Sequence, residues 1–141
     1  MKNPTLFYRI ASVLFILFAA GHTAGFMAFK PPSAEGLAVR DAMWNVRFQV
    51  KGSSFTYGDF YTGFGLYATV YLLFSAFLAW HLGNLARTNP EAIGSLAWVF
   101  AAVQVASLIL SWRYFLLPPA ILSALLTACL GWAGWLIARG K

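Results

Sequence analysis

The residue of this chain whose type and position best suit chemistry is a histidine inside an apolar stretch. His22 lies in the segment GHTAG, and a helical rise of about 1.5 Å per residue places it about 7 Å from the middle of that stretch. Ionisable residues are rare in membrane spans and usually face other helices, which makes His22 a candidate acid or base. An imidazole equally suits a hydrogen bond between helices, and both interpretations stay open.

Further polar residues of the apolar stretches fall in the same half of the membrane as His22, beneath a long loop, by the same helical rise. The candidate ligand-binding residues are His22, Tyr67, Tyr71, Gln104, Ser107, Arg47 and Arg113. Tyr67, Tyr71, Gln104 and Ser107 are also the expected hydrogen-bond partners of His22. In an enzyme, Asp59 or Tyr67 would orient His22, while Arg47 or Arg113 would hold an anionic headgroup. The candidate catalytic residues are therefore His22, Asp59 and Tyr67.

We expect no metal site and no cofactor. Neither His22 nor His81 has a second His, Cys or acid at a spacing that suits a metal ion. The two histidines fall in opposite halves of the membrane, roughly 15 to 20 Å apart along its normal, so they are not expected to bind one haem iron within the chain. A haem shared with another subunit stays open as an alternative. Cys129 is the only cysteine, which excludes redox chemistry by a cysteine pair.

Four apolar stretches must position these residues, in a chain that is 60% hydrophobic and 10% charged. A helix needs roughly 20 apolar residues to cross the hydrocarbon core, and lipid offers the backbone no hydrogen-bond partner. The sequence therefore predicts an all-α membrane protein, a four-helix transmembrane bundle that forms one domain over residues 1–141. The predicted spans are 6–29, 63–85, 93–112 and 116–138. The very short link after the third span predicts that the last two helices are antiparallel neighbours.

The loop after Lys30-Pro31-Pro32 is about 30 residues long, and loops of that length usually carry structure of their own. Residues 44–51 alternate as a strand would, but a strand would have no partner here. An apolar stripe at helical spacing favours an interfacial helix over 35–51, with Gly52 as its C-cap. That stripe is Val39, Met43, Val46 and Val50.

Caps are predicted at two further helix starts. Asp59 is well placed as the N-cap of the second span, and Asn89, Pro90 and Glu91 have the order expected where the third span begins. Arg40, Arg47 and Lys51 of the loop are interpreted as a stripe that faces solvent or lipid headgroups.

The net charge of +6 comes from basic residues at the predicted helix ends and in loops, so anionic lipid headgroups are the expected counterpart and nucleic acid is not. An even number of spans puts both termini on one side. The positive-inside count is tied, because five basic residues fall on each side: Lys2, Arg9, Arg87, Arg139 and Lys141 against Lys30, Arg40, Arg47, Lys51 and Arg113. We expect cytoplasmic termini, because a basic N-terminus precedes an uncleaved, signal-like helix.

The run MWNVRFQVKGSSFTYGDFYTGFGL, together with GHTAG, resembles a family of small bacterial four-span integral membrane proteins without an assigned activity. The matching residues are Phe48, Val50, Gly52, Ser53, Asp59, Phe60, Tyr61, Gly63, Phe64 and Gly65. The resemblance implies a bacterial inner membrane protein but brings no substrate. That family usually has a large aromatic residue before the Asp, where this chain has Gly58, so the packing of the loop is expected to differ.

The leading functional hypothesis is a non-enzymatic membrane protein, either an accessory or assembly subunit or a binder of lipid-like hydrophobic molecules. Its expected partners are membrane lipids, a larger membrane complex or further copies of the chain. An alternative is a membrane enzyme that acts on a lipidic or isoprenoid substrate with His22 as its acid or base. A small transporter is the second alternative, although the first span lacks the acid typical of small multidrug transporters.

Overall fold

The structure, a computed structural model, describes residues 3–140, which are 83% helical. Lys2 and Lys141, two of the charges counted above, lie outside the described residues. The elements of the described chain, in order, are α1 (Pro4–Ala28), α2 (Ala34–Asn45), β1 (Arg47–Val50), β2 (Ser53–Thr56), α3 (Tyr57–Thr88), a 3₁₀ helix (Pro90–Ile93), α4 (Leu96–Tyr114) and α5 (Leu117–Arg139).

Four of the helices found in residues 3–140, namely α1, α3, α4 and α5, are long and apolar enough to cross a membrane. The prediction of a helical membrane protein is confirmed at this level. The bounds of α1, α4 and α5 differ from the predicted spans by three residues at most. α3 is longer than predicted, because it begins at Tyr57 rather than Gly63 and reaches Thr88, for a total of 32 residues.

The loop folds as a helix followed by a β-hairpin. The predicted helix over 35–51 is right up to Asn45 and wrong beyond it, because Arg47–Val50 forms β1 and pairs antiparallel with β2. The strand has a partner because the chain reverses at Lys51 and Gly52, whose φ angles of 48° and 84° are both positive. Positive φ at both central residues is the geometry of a two-residue type I′ turn. Gly52 is therefore a turn residue and not a helix C-cap.

The prediction that Asp59 caps α3 is also wrong, because Thr56 is the N-cap. The Thr56 hydroxyl accepts a hydrogen bond from the backbone N–H of Asp59 at 3.1 Å, and the Asp59 carboxylate accepts one from the backbone N–H of Thr56 at 2.8 Å. This reciprocal pair is a capping box, with Asp59 at the third helical position. Asn89 likewise caps the 3₁₀ helix through the N–H of Ala92, while α4 begins only at Leu96.

The chain divides into two compact units. The helical unit comprises the chain up to Phe18 and the chain from Leu72 onward, and the loop unit is Ala19–Tyr71. α1 and α3 therefore contribute residues to both units. The prediction of a single transmembrane domain stays a prediction.

The core of the helical unit combines six alanines, which let membrane helices pack closely, with eight larger apolar or aromatic residues. The buried cluster comprises Tyr8, Ala11, Phe15, Ala76, Ala79, Leu82, Ile93, Ala97, Phe100, Ala101, Leu126, Leu130, Ala133 and Ile137. The hydroxyls of Ser111 and Ser123 are 3.2 Å apart, while Gly134 packs against Ala97. Because later residues of α5 meet earlier residues of α4, these helices are antiparallel neighbours, as the short link predicted.

In the loop unit, aromatic rings pack onto two glycines of α3. The Trp44 ring of α2 covers Gly58, where an added Cβ would lie 2.6 Å from ring atom Cδ2. The Phe26 ring of α1 covers Gly65 at a similar distance. An aromatic side chain at position 58 would occupy the space of the Trp44 ring, so Gly58 is what permits this packing.

Candidate functional site

His22 is half-buried and bonded to the backbone of α3. Its Nε2 lies 3.0 Å from the carbonyl oxygen of Gly65, and its ring centroid is 5.2 Å from that of Phe26. The partner is a backbone carbonyl and not one of the side chains expected: Tyr67, Tyr71, Gln104 and Ser107.

The atoms of this contact decide which of them donates. A carbonyl oxygen can only accept, so His22 Nε2 donates to the Gly65 carbonyl. Thr69 Oγ1 also donates to the Gly65 carbonyl oxygen, at 3.2 Å, and the same hydroxyl lies 2.7 Å from Thr23 Oγ1, which donates to the Ala19 carbonyl oxygen at 2.8 Å. The Gly65 carbonyl therefore accepts side-chain hydrogen bonds from both His22 and Thr69.

The other candidates in the loop unit do not gather around His22 through any described hydrogen bond. Tyr67 and Tyr71 are exposed and contact each other edge to face, with centroids 5.1 Å apart. Asp59 belongs to the capping box, and Arg47 lies on β1 opposite Thr56.

Three candidates belong to the helical unit. Gln104 is buried on α4. Ser107 donates to the carbonyl oxygen of Val103 at 3.0 Å, and the Arg113 guanidinium lies 5.8 Å from the centroid of the Tyr114 ring.

A cavity of about 350 Å³ lies in the loop unit among the end of α1, α2 and the start of α3. We name it the α2 cavity. Most of its lining is apolar or aromatic, and it comprises Phe26, Met27, Phe29, Pro31, Gly36, Val39, Arg40, Met43, Trp44, Tyr61 and Thr62.

Arg40 is the cation on the wall of the α2 cavity. It is half-buried, and its guanidinium lies 5.7 Å from the centroid of the Trp44 ring. A guanidinium against an aromatic face is partly desolvated, which strengthens its attraction for an anion. The cavity therefore combines an apolar wall with one positive charge. This arrangement suits the binding of an apolar molecule that carries an anionic group better than it suits proton transfer.

Aromatic contacts form one wall of the α2 cavity. Tyr61 meets Phe26 edge to face with centroids 6.1 Å apart, and meets Trp44 in the same way at 5.9 Å. His22 does not line the cavity, but its ring lies against Phe26, which does. His22 is therefore linked to this cavity through its contact with the Phe26 ring.

The sequence did not reveal this cavity as a site, although Val39 and Met43 belong to the predicted apolar stripe and Arg40 to the predicted basic one. Arg40, Met43 and Trp44 have the i, i+3, i+4 spacing of one helix face, and this spacing was the available signal. The predicted helix extended to residue 51, so its apolar stripe was continued to Val46 and Val50 and not to Trp44. The α1 and α3 walls are supplied by residues distant in sequence, which no local pattern brings together.

Across residues 3–140, no group of three or more His, Cys, Asp or Glu side chains is placed to hold a metal ion. No protein-family model, curated protein or solved structure matches this chain. The resemblance to the small bacterial four-span family stays a prediction, and function has to be argued from the geometry.

Proposed function

We propose that this chain is an integral membrane protein that binds a lipid-like amphiphile with an anionic head. The observation that carries the proposal is the α2 cavity, an apolar space with the guanidinium of Arg40 on its wall. Small-molecule pockets span about 300 to 1,000 Å³, so a cavity of about 350 Å³ suits a single acyl chain better than a whole phospholipid.

The membrane setting of the proposal is a bundle of α1, α3, α4 and α5 in a bacterial inner membrane, with both termini in the cytoplasm. Support comes from exposure, because large apolar side chains on these helices are open to the surroundings, as with Leu17, Phe74 and Trp112. Such surfaces suit lipid and not water. α2 would lie in the headgroup layer, since it exposes Leu37 and Val39 beside charged neighbours.

Binding is favoured over the enzyme alternative by the state of His22. Its Nε2 is occupied by the Gly65 carbonyl, and it does not line the α2 cavity. An acid or base must reach the proton that it transfers, and this imidazole reaches the cavity only through the Phe26 ring. A role as an accessory or assembly subunit would not account for the α2 cavity.

The test is calorimetric binding of laurate and of dodecanol to the purified full chain in maltoside micelles. Arg40→Gln should weaken laurate binding about fivefold to tenfold, because it removes the charge that faces the carboxylate. Dodecanol binding should not change. Val39 lies on the cavity wall at a largely exposed position. Val39→Trp should weaken the binding of both ligands, because the larger side chain would occupy part of the cavity.

Arg113→Gln is the matched control, because it removes an exposed arginine from another part of the chain. It should leave the binding of both ligands unchanged. Equal laurate affinity in the Arg40→Gln and unchanged proteins would contradict the proposal.

A further inference from the structure

A second cavity of the loop unit lies along another face of α3. It measures about 420 Å³ and is open to the surroundings, and we name it the aromatic cleft. Its lining is Phe55, Asp59, Phe60, Gly63, Phe64 and Tyr67. Positions 60, 63, 64 and 67 have the spacing of one helix face, and Phe55 of β2 belongs to the same lining. The α2 cavity instead uses Tyr61 and Thr62 of α3.

Several aromatic rings line the aromatic cleft or pack against its lining. The centroids of Phe55 and Phe60 are 5.7 Å apart with planes tilted by 49°, and Phe60 and Phe64 follow at 6.5 Å. Phe48 stacks on Phe60 at 5.9 Å and holds that ring in place. Phe64 is 72% exposed and Tyr67 63%, so their ring faces remain available. Aromatic faces carry partial negative charge and attract cations.

A carboxylate lies on the same wall as the rings. The capping bonds of Asp59 from the N–H and hydroxyl of Thr56 both end on Oδ2. A carboxylate has acceptor capacity on both oxygens, so Oδ1 can still receive a donor or face a cation. Arg47 is near enough to attract Asp59 electrostatically and would compete with such a cation.

We propose that the aromatic cleft binds an alkylated ammonium cation, whose alkyl groups contact the Phe60, Phe64 and Tyr67 rings while the Asp59 carboxylate supplies the countercharge. Exposed rings alone would suit contact with lipid tails, but a carboxylate among them makes a poor surface for tails and a good one for an organic cation. Free quaternary ammonium compounds and the headgroups of choline lipids share this chemistry. The site is independent of the α2 cavity, which carries the opposite charge.

The probe is choline, titrated by calorimetry into the full chain in maltoside micelles. We expect saturable binding, and binding at least about tenfold weaker for the neutral isostere in which carbon replaces the ammonium nitrogen. Asp59→Asn should weaken choline binding about fivefold to tenfold, while an amide oxygen can still accept the capping bond. Phe64→Leu should weaken it about twofold to fivefold.

Two controls match these variants. Asp41→Asn removes an exposed acid from α2, and Phe74→Leu removes an exposed ring from α3 outside the cleft. Both should bind choline as the unchanged protein does. Arg47→Gln should tighten choline binding, because it removes the competing cation, and a purely structural role of Asp59 would not produce that gain.

Nanodiscs distinguish the two sources of the cation. Choline binding that is strong in phosphatidylglycerol discs and suppressed in phosphatidylcholine discs identifies the lipid headgroup as the occupant, whereas equal binding in both identifies a free ammonium compound. Either result supports the cleft as a cation site. Absence of saturable choline binding in micelles, or equal binding of choline and its neutral isostere, would overturn the proposal.

Discussion

At the scale of single residues, we expect His22 to act as a positioning residue. It donates to the Gly65 carbonyl, and its ring lies against Phe26, which covers Gly65 and lines the α2 cavity. The expectation that a histidine in an apolar stretch needs a polar partner was sound. The identity of that partner was not predictable, because a backbone carbonyl in a helix carries no signature in the sequence.

His22→Leu should therefore lower the free energy of unfolding by about 0.6 to 2 kcal/mol, the range for hydrogen bonds between membrane helices. The reason is the loss of the Nε2 bond to Gly65 and of the contact that holds Phe26. Unfolding in mixed micelles measures the effect. His22→Gln, which keeps a donor, should cost less.

Gly21→Leu is the neighbouring control, because a Cβ at Gly21 meets nothing within 4 Å. It should leave stability and laurate binding unchanged. A His22→Gln protein that is fully stable but no longer binds laurate would instead show that the imidazole itself recognises the ligand, against the positioning role.

At the scale of elements, the connection between α2 and α3 is determined by local chemistry that periodicity does not detect. The two-residue turn at Lys51 and Gly52 reverses the chain, and the capping box of Thr56 and Asp59 begins α3 as soon as the hairpin ends. Both signals are present in the sequence, the turn in Lys51-Gly52 and the capping box in the four residues from Thr56 to Asp59. The alternating segment was predicted to lack a partner strand, whereas its partner is the adjacent segment. The cap was assigned to Asp59, whereas Thr56 is the N-cap and Asp59 the third helical residue.

The packing of α2 on α3 depends on Gly58. Gly58→Ala should destabilise the loop unit by about 1 to 3 kcal/mol, because the new Cβ would lie 2.6 Å from the Trp44 ring and displace it. Hydrogen exchange across α2 should increase accordingly.

A double-mutant cycle tests the cause. In a Trp44→Ala background the ring is gone, so Gly58→Ala should cost little, and the two effects should be strongly non-additive. Simple additivity of Gly58→Ala and Trp44→Ala would show that the glycine serves some purpose other than admitting the ring.

At the scale of the whole molecule, the distribution of apolar side chains indicates lipid as the solvent. Only 11% to 39% of the most apolar window of each candidate span is buried within the chain. The positions of these helices were predictable, because long apolar runs and the Pro31-Pro32 stop leave few alternatives. The α2 cavity was not, since its walls come from three elements whose approach depends on the rings of Phe26, Trp44 and Tyr61.

Photolabelling of the full chain in nanodiscs with a laurate that carries a diazirine in its tail tests the central claim most directly. The adducts, located by mass spectrometry, should concentrate on the wall of the α2 cavity at Met27, Val39 and Met43. An excess of unlabelled laurate should reduce these adducts by competition, and the Arg40→Gln substitution should also reduce them. Adducts spread over exposed positions such as Leu17 and Phe74, with no competition by laurate and no dependence on Arg40, would contradict a specific amphiphile site.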